Sequence, residues 1–298
     1  MNYLLTQFLF TAIALSIFNG PLIKKEVTQY LKKNAPWRVS DYDMNHFRLW
    51  SVDDVKLILL REDNSSSKII NLNKNNYKNL YPPNFDYRQK WPNCIQSIRD
   101  QGQCGSGWSM ALTEFLSDRF CIQGTNVLLS PQDPISCDDL DYGCAGGFID
   151  NSLEYATEIG IVTDSCFPYS SGQSVSPPCI DKCISPEQYI KYKCKPFSTL
   201  WLSDENSQKQ DLFQNGPIET KFFVYEDFFY YDGGIYTHIY GKLLGGHAVK
   251  VIGYGSDHGK YWIAANSWGT KWGENGYFRI AAKQCNFDSQ MVSCSPLI

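Results

Sequence analysis

Eleven cysteines in a chain of 298 residues restrict the fold more than any other feature, because all but two of them fall between Cys94 and Cys194. Their spacings, such as Cys179 to Cys183, lack the CxxC repetition of a structural zinc site. The chain has four histidines, and none lies within that stretch. Disulfides are therefore the better reading. A disulfide-laced domain belongs to an oxidising compartment, so the chain is expected to enter the secretory pathway.

The N-terminus agrees with that route. Leu4 to Phe18 is a mostly apolar run of signal-peptide length, followed by no long apolar stretch that would span a bilayer. Residues 1–20 are read as a signal peptide, although no Lys or Arg precedes the run and a small-x-small site is visible only at Ala14-Leu15-Ser16. A buried core segment is the alternative. The formal net charge of −4 offers no basic patch for nucleic acid or an anionic membrane surface. Neither nucleic-acid binding nor stable membrane insertion is expected, and a monomer is.

Residues 21–80 form a polar region with a helical-looking stretch, Lys24 to Leu31, then Trp37, then a Ser/Asn-rich run from Asn64 to Asn76 that reads as a linker. Asn64-Ser65-Ser66 within it is a glycosylation sequon. Tyr81-Pro82-Pro83 breaks the chain. Beyond it, Trp108, Leu112, Phe115, Leu116 and Phe120 are spaced as on an amphipathic helix from about Ser106 to Cys121, and Ser152 to Ile159 suggests a second. After about Leu200 the pattern turns strand-like, at Ile235-Tyr236, His247 to Ile252 and Tyr261 to Ala264. A helical half followed by a strand-rich half predicts an α+β class with two lobes, about 81–199 and about 200–298.

Three segments carry the chemistry. Asp100 to Trp108 puts small residues and the Gln101 amide at a helix N-terminus, where unpaired N–H groups stabilise an anion and a thiol would lose its proton readily. Gly245-Gly246-His247 places a histidine at the start of a strand, where a close-packed backbone fixes its ring. Asn266-Ser267-Trp268-Gly269 offers an amide to orient that ring and an indole to shield it. Each alone has a bland explanation as a structural histidine or a turn.

Together, and in this order, they resemble the papain family of cysteine peptidases, whose pattern is Q-G-x-C-G-S-C-W, a distant histidine, then N-S-W-G. The likeness runs through Leu129-Ser130-Pro131-Gln132 and Gly143-Cys144-Ala145-Gly146-Gly147, and covers the chain from about Tyr81 to the C-terminus. Pro83-Asn84-Phe85-Asp86, Trp91-Pro92-Asn93-Cys94 and Ile98-Arg99-Asp100-Gln101 narrow it to the cathepsin B-like branch. The resemblance implies a papain-like fold with a mainly helical lobe, a β-barrel-like lobe and the active-site cleft between them. It implies roles for Gln101 in an oxyanion hole, His247 as general acid and base, and Asn266 as the residue orienting His247. Residues 21–80 become a pro-segment that blocks the cleft, and 81–298 the peptidase domain.

The resemblance also implies disulfides Cys94–Cys121, Cys104–Cys144, Cys137–Cys179 and Cys166–Cys183, leaving Cys194, Cys285 and Cys294 unassigned. Gly146, Gly147, Trp268 and Gln290 would contact a peptide or protein substrate, with Gln290 where the acidic residue of the second specificity pocket is expected. No metal or organic cofactor is implied. The interval from Phe167 to Pro178 contains neither histidine nor cysteine, so the histidine-bearing occluding loop of the branch is missing and an open, endopeptidase-type cleft is expected.

One departure dominates. The nucleophilic cysteine should fall at position 107, and the chain has glycine there. Ser106 and Ser109 are near neighbours that point elsewhere around the helix, and Cys104 is committed to a disulfide by the resemblance. The chain is therefore expected to be inactive or nearly so as a peptidase; the alternative is a non-catalytic peptide-binding pseudoenzyme. One base change converts a cysteine codon to a glycine codon, so natural loss, deliberate replacement and an allele or misread base all fit the sequence.

Overall fold

The computed structural model describes residues 20–60 and 81–298. The apolar run Leu4–Phe18 and the linker with its sequon at Asn64 lie outside the described residues. No described helix is long and apolar enough to cross a membrane.

Residues 20–60 hold two helices and a short strand: α1 (Lys25–Asn34), β1 (Arg38–Val39) and α2 (Val52–Ile58). In α1, Val27, Thr28 and Leu31 face inward, Glu26 sits in the first turn, and Lys32 and Lys33 in the last. Those charges suit the helix dipole. Pro36 follows and holds Ala35 in an extended conformation, which ends the helix. Ser51 and Asp54 form a reciprocal capping box at the start of α2.

The body begins with β2 (Phe85–Asp86) and α3 (Tyr87–Lys90) and continues into α4 (Gly107–Ile122), α5 (Gln132–Cys137) and α6 (Ile149–Glu158). The second half carries β3 (Leu200–Leu202), α7 (Glu205–Asn215), β4 (Ile218–Tyr225), β5 (Tyr231–Gly233), β6 (Ile235–Tyr236), β7 (Leu243–Gly255), β8 (Tyr261–Ala265), β9 (Tyr277–Ala281) and β10 (Met291–Ser293). The α+β class holds. The barrel-like description of the second lobe does not. Its eight-stranded sheet runs β3-β10-β4-β7-β8-β9-β6, with β2 added to β7, and this path does not return on itself. β1 pairs separately with β5, so residues 20–60 extend the second lobe by a strand.

The central helix is not amphipathic in the expected sense. Every residue of α4 from Gly107 to Phe120 is buried, because the helix runs between the two lobes. Its apolar stripe packs into the first lobe with Leu129, Leu153 and Ile161. Its polar stripe is tied to the second lobe by buried ion pairs. Lys250 on β7 donates to Asp118 at 2.7 Å and lies 3.7 Å from Glu114. Arg119 pairs with Asp211 and donates to the carbonyls of Pro217 and Cys294. Polar residues at interior helix positions thus mark a helix shared by two cores. α6 begins three residues before the predicted Ser152, and α7 adds a helix to the half read as strand-rich.

Five disulfides join Cys94 to Cys121, Cys104 to Cys144, Cys137 to Cys179, Cys166 to Cys183, and Cys194 to Cys294. The last closes the longest loop and fastens the first lobe to β10; no sequence argument assigned it. Cys285 is free.

Candidate active site

Position 107 is the first residue of α4, at the seam between the lobes. β7 brings His247 to the same point. The histidine lies within the strand, four residues after its start, and not at its beginning as the sequence suggested. A β-carbon built at 107 would stand 2.7 Å from both Cε1 and Nδ1 of the imidazole. The ring is fully buried.

The protons on this ring follow from its neighbours. Asn266 Oδ1 accepts the backbone N–H of Ser267 at 2.8 Å, which fixes the orientation of the amide. The same oxygen lies 2.8 Å from His247 Nε2, so Nε2 is the donor. In the neutral ring Nδ1 then carries a lone pair, and it has no hydrogen-bond partner among the described residues. It faces the place where the side chain of residue 107 would be. Trp268 stacks on the ring with centroids 4.9 Å apart. Burial pushes the His247 pKa down to about 4, with the Asn266 hydrogen bond pulling the other way.

Gln101 fastens two of the three motif segments together. Its backbone N–H donates to the Ser267 carbonyl at 2.9 Å, and its Oε1 accepts from the Ser267 hydroxyl at 2.7 Å. Its Nε2 donates to the Cys104 carbonyl at 2.8 Å and to the carbonyl of Ile58 at 2.9 Å. Ile58 belongs to the covering segment, so a backbone oxygen of that segment occupies the amide donor expected to face a developing oxyanion. Leu60 continues the contact by exchanging two backbone hydrogen bonds with Gly246, at 2.8 and 3.0 Å. Gly245 is needed there, since a β-carbon would come 2.9 Å from the Leu60 carbonyl oxygen.

The remaining hydroxyls and thiols point away from the centre, as their positions around the helix predicted. Ser109 donates to the Pro131 carbonyl at 2.7 Å, and Ser106 lies 3.2 Å from the Tyr169 hydroxyl. Burial pushes the Cys285 thiol up to about 12, which removes it as a nucleophile. The cluster Cys166, Cys183 and Glu187 has metal-like spacing, but both its sulfurs are in a disulfide.

Gly146 and Gly147 follow directly on the turn Gly143–Ala145. Gly147 must be glycine, because a β-carbon would lie 2.6 Å from the Trp108 indole. Trp268, named as a substrate contact, is covered on another face by Phe47, at 5.2 Å in an edge-on arrangement. Gln290 lines a cavity of about 440 Å³ with Phe148, Ile149, Glu219 and Lys221.

Sequence reasoning missed Glu219. It is buried, and neither carboxylate oxygen has a partner among the described residues. Burial holds its pKa well above the usual range, with Asp150 adding to the effect. The signal was present as a lone acid in the otherwise strand-like Ile218-Glu219-Thr220-Lys221-Phe222. Also missed was the carboxyl pair Asp138 and Asp141 behind Gly147. Asp141 accepts from Phe148 N at 2.8 Å, and burial, reinforced by Asp138, pushes it up to about 7.

The fold and this group of residues define a cysteine-protease class. The family described as Papain family cysteine protease matches residues 81–295, and the chain belongs to that family. Its relatives are of the cathepsin B-like kind. It is 39% identical to cathepsin B-like cysteine proteinase 4 of Caenorhabditis elegans, over 73% of this chain and 76% of that one. It is likewise 39% identical to cathepsin B-like CP3 of Giardia intestinalis, over 71% and 73% of the two chains. Among solved structures, procathepsin B S9 from Trypanosoma congolense superimposes with a TM-score of 0.86 and 29% identity, covering 94% of this chain and all of that one. That neighbour is a proform, which supports reading the cleft-covering residues 20–60 as a pro-segment.

Proposed function

We propose that this chain is a cathepsin B-like papain-family cysteine peptidase with an endopeptidase-type cleft between its lobes, inactive or nearly so because Gly107 stands in place of its nucleophile. The observation that carries the reading is the unpartnered Nδ1 of His247 facing a residue with no side chain. In the family's reaction a thiol at position 107 would pass its proton to His247, and the thiolate so formed would attack the peptide carbonyl, whose oxygen becomes an oxyanion against Gln101 and the N-terminus of α4. Glycine offers no atom that bonds to carbon in that step. His247 retains the geometry of a base for water, which leaves catalysis by the oxyanion donors and binding alone. In serine-protease triads, loss of the nucleophile costs about 10⁶-fold in kcat.

The test is to express the chain as it stands beside Gly107→Cys, remove residues before about 81 with an added protease, and assay a dipeptide fluorogenic amide. Labelling by a thiol-directed epoxide and cleavage by the Gly107→Cys form alone support the reading. Epoxide-sensitive cleavage by the unmodified chain overturns it.

A pseudoenzyme that holds peptides without cutting them is the second reading, favoured by the intact set Gln101, His247, Asn266 and Trp268 around the missing thiol. The same reading assigns 1–20 as a signal peptide, 21–80 as pro-segment and linker, and 81–298 as the peptidase domain of a secreted or lysosome-like monomer. Where family members mature by their own activity, this chain keeps its pro-segment unless another protease removes it. The short Phe167–Pro178 interval supports an open, endopeptidase-type cleft.

A further inference from the structure

The cavity beside the active centre is lined unlike an apolar specificity pocket, and its role as a pocket rests on the reading of the cleft as a peptide site. Glu219 and Lys221 project into it from alternate positions of β4, and Asn286, Ser289 and Gln290 add amide and hydroxyl groups. The first turn of α6, with Ile149, Asp150 and Asn151, forms the opposite wall. Phe148 at the head of that ten-residue helix gives no side-chain cap, and the turn carries the positive end of the helix dipole, although Asp141 takes the Phe148 N–H and Asp150's carboxylate engages its own.

Two side chains give this wall its chemistry. The Glu219 carboxyl is fully buried without an acceptor, donor or cation among the described residues. A carboxylate cannot be kept dry without a partner, so the group stays protonated and offers an O–H. Lys221 has no anion within ion-pair distance among the described residues, and its chain lies over Gly246, with Cε 3.1 Å from where a β-carbon would be. Its ammonium therefore sits beside the strand that carries His247. The opposing charge is Asp150, whose pKa burial raises while its own backbone N–H and Lys221 pull it the other way, without a direct ion pair to Lys221.

We propose that this cavity takes an acidic side chain, aspartate or glutamate, from the second residue before the scissile position. Lys221 is the counter-charge, the Glu219 carboxyl a hydrogen-bond donor, and the α6 N-terminus a further attraction. A basic side chain would meet Lys221 and the helix dipole head-on. A leucine would strip water from Lys221, Gln290 and Asn286 without replacing it.

The experiment uses the Gly107→Cys chain freed of its pro-segment and a panel of fluorogenic dipeptide amides with Glu, Gln, Leu or Arg at the second position and one constant first residue. The same four sequences, as labelled peptides, are titrated by fluorescence polarisation onto the Gly107 chain freed of its pro-segment. Glu is expected to exceed Gln and Arg by roughly tenfold or more in kcat/KM or in affinity, as a charge-assisted hydrogen bond would give. Lys221→Ala is expected to erase that ranking and Asp150→Asn to sharpen it. Measurable cleavage or binding with Leu or Arg first, or a ranking that Lys221→Ala leaves intact, overturns the proposal alone. A flat absence of cleavage and of binding across the panel overturns it together with the peptide-cleft reading.

Discussion

The backbone of Gly107 lies directly against the imidazole of His247, with 2.7 Å between the ring and the point a β-carbon would occupy. A thiol and this ring position are therefore mutually exclusive in the covered state. Any side chain at 107 requires the ring, or the helix start, to give way. The ring is wedged between Trp268 and Phe222, which limits how far it moves.

Gly107→Ala tests that conflict through stability. At an ordinary helical position the change gains about 0.5–1 kcal/mol. Here the overpacking cost of about 1–3 kcal/mol outweighs it. The expected net effect is a loss of about 1 kcal/mol in denaturant unfolding, as the difference of those two ranges. A variant more stable than the parent would show that the ring moves freely.

Phe47 anchors the covering segment. It is buried and meets Trp50, Phe229 and Trp268 edge-on at 5.3, 4.9 and 5.2 Å. Phe47→Ala is expected to weaken the segment's hold by about 3–5 kcal/mol. Limited proteolysis of residues 20–60 should then proceed more than about 100-fold faster when opening precedes cleavage. An unchanged rate would mean that Leu60 and Trp37 hold the segment without it.

Acid should open the cleft. His247 ionises near pH 4 when covered, against an ordinary value of 6.5. The covered state is fully stable above about pH 6.5 and binds fewer protons than an open state between 6.5 and 4. Its advantage therefore falls as pH drops through that window, by up to about 3 kcal/mol. Protease sensitivity of the covering segment should rise from pH 6.5 to 4. His247→Gln should flatten that profile.

The Asp138–Asp141 pair has the opposite sign. Burial raises both carboxyls, Asp141 to about 7, so the folded state holds a proton that the unfolded chain releases near pH 4. Its contribution is present at acid pH and is lost as pH rises through 7. Asp141→Asn keeps an oxygen for the Phe148 N–H and adds a donor for Asp138. It is expected to raise the unfolding midpoint relative to the parent, and by more at pH 8 than at pH 5. Equal shifts at both values would assign the effect to packing.

Local order settled much of what could be read in advance. Gln101, His247, Asn266 and Trp268 stand in motifs whose glycines and spacing mark them whether or not they touch, and the structure places them around one point. Two of the first lobe's helices, α4 and α6, were legible from apolar spacing, to within a turn, whereas the short α3 and α5 were not. The surroundings of α4 were not, because periodicity records one buried face and cannot show that Glu114, Asp118 and Arg119 meet charges from β7 and α7. Glu219 escaped for the same reason: an isolated acid in a strand reads as solvent-facing until the opposite wall is known.

The sequence by itself determined the family, the glycine at position 107 and the crowding of glycines at 245–246 and 146–147, since these depend on residue identity and near neighbours along the chain. Only the tertiary structure decided that Ile58 fills the Gln101 amide, that His247 occupies the space a side chain at 107 would need, that Cys194 joins Cys294, and that a carboxyl and an ammonium share one cavity. Each of those relations joins groups from distant parts of the chain. Their energies arise from burial and mutual distance, quantities that exist only once the lobes have closed on the central helix.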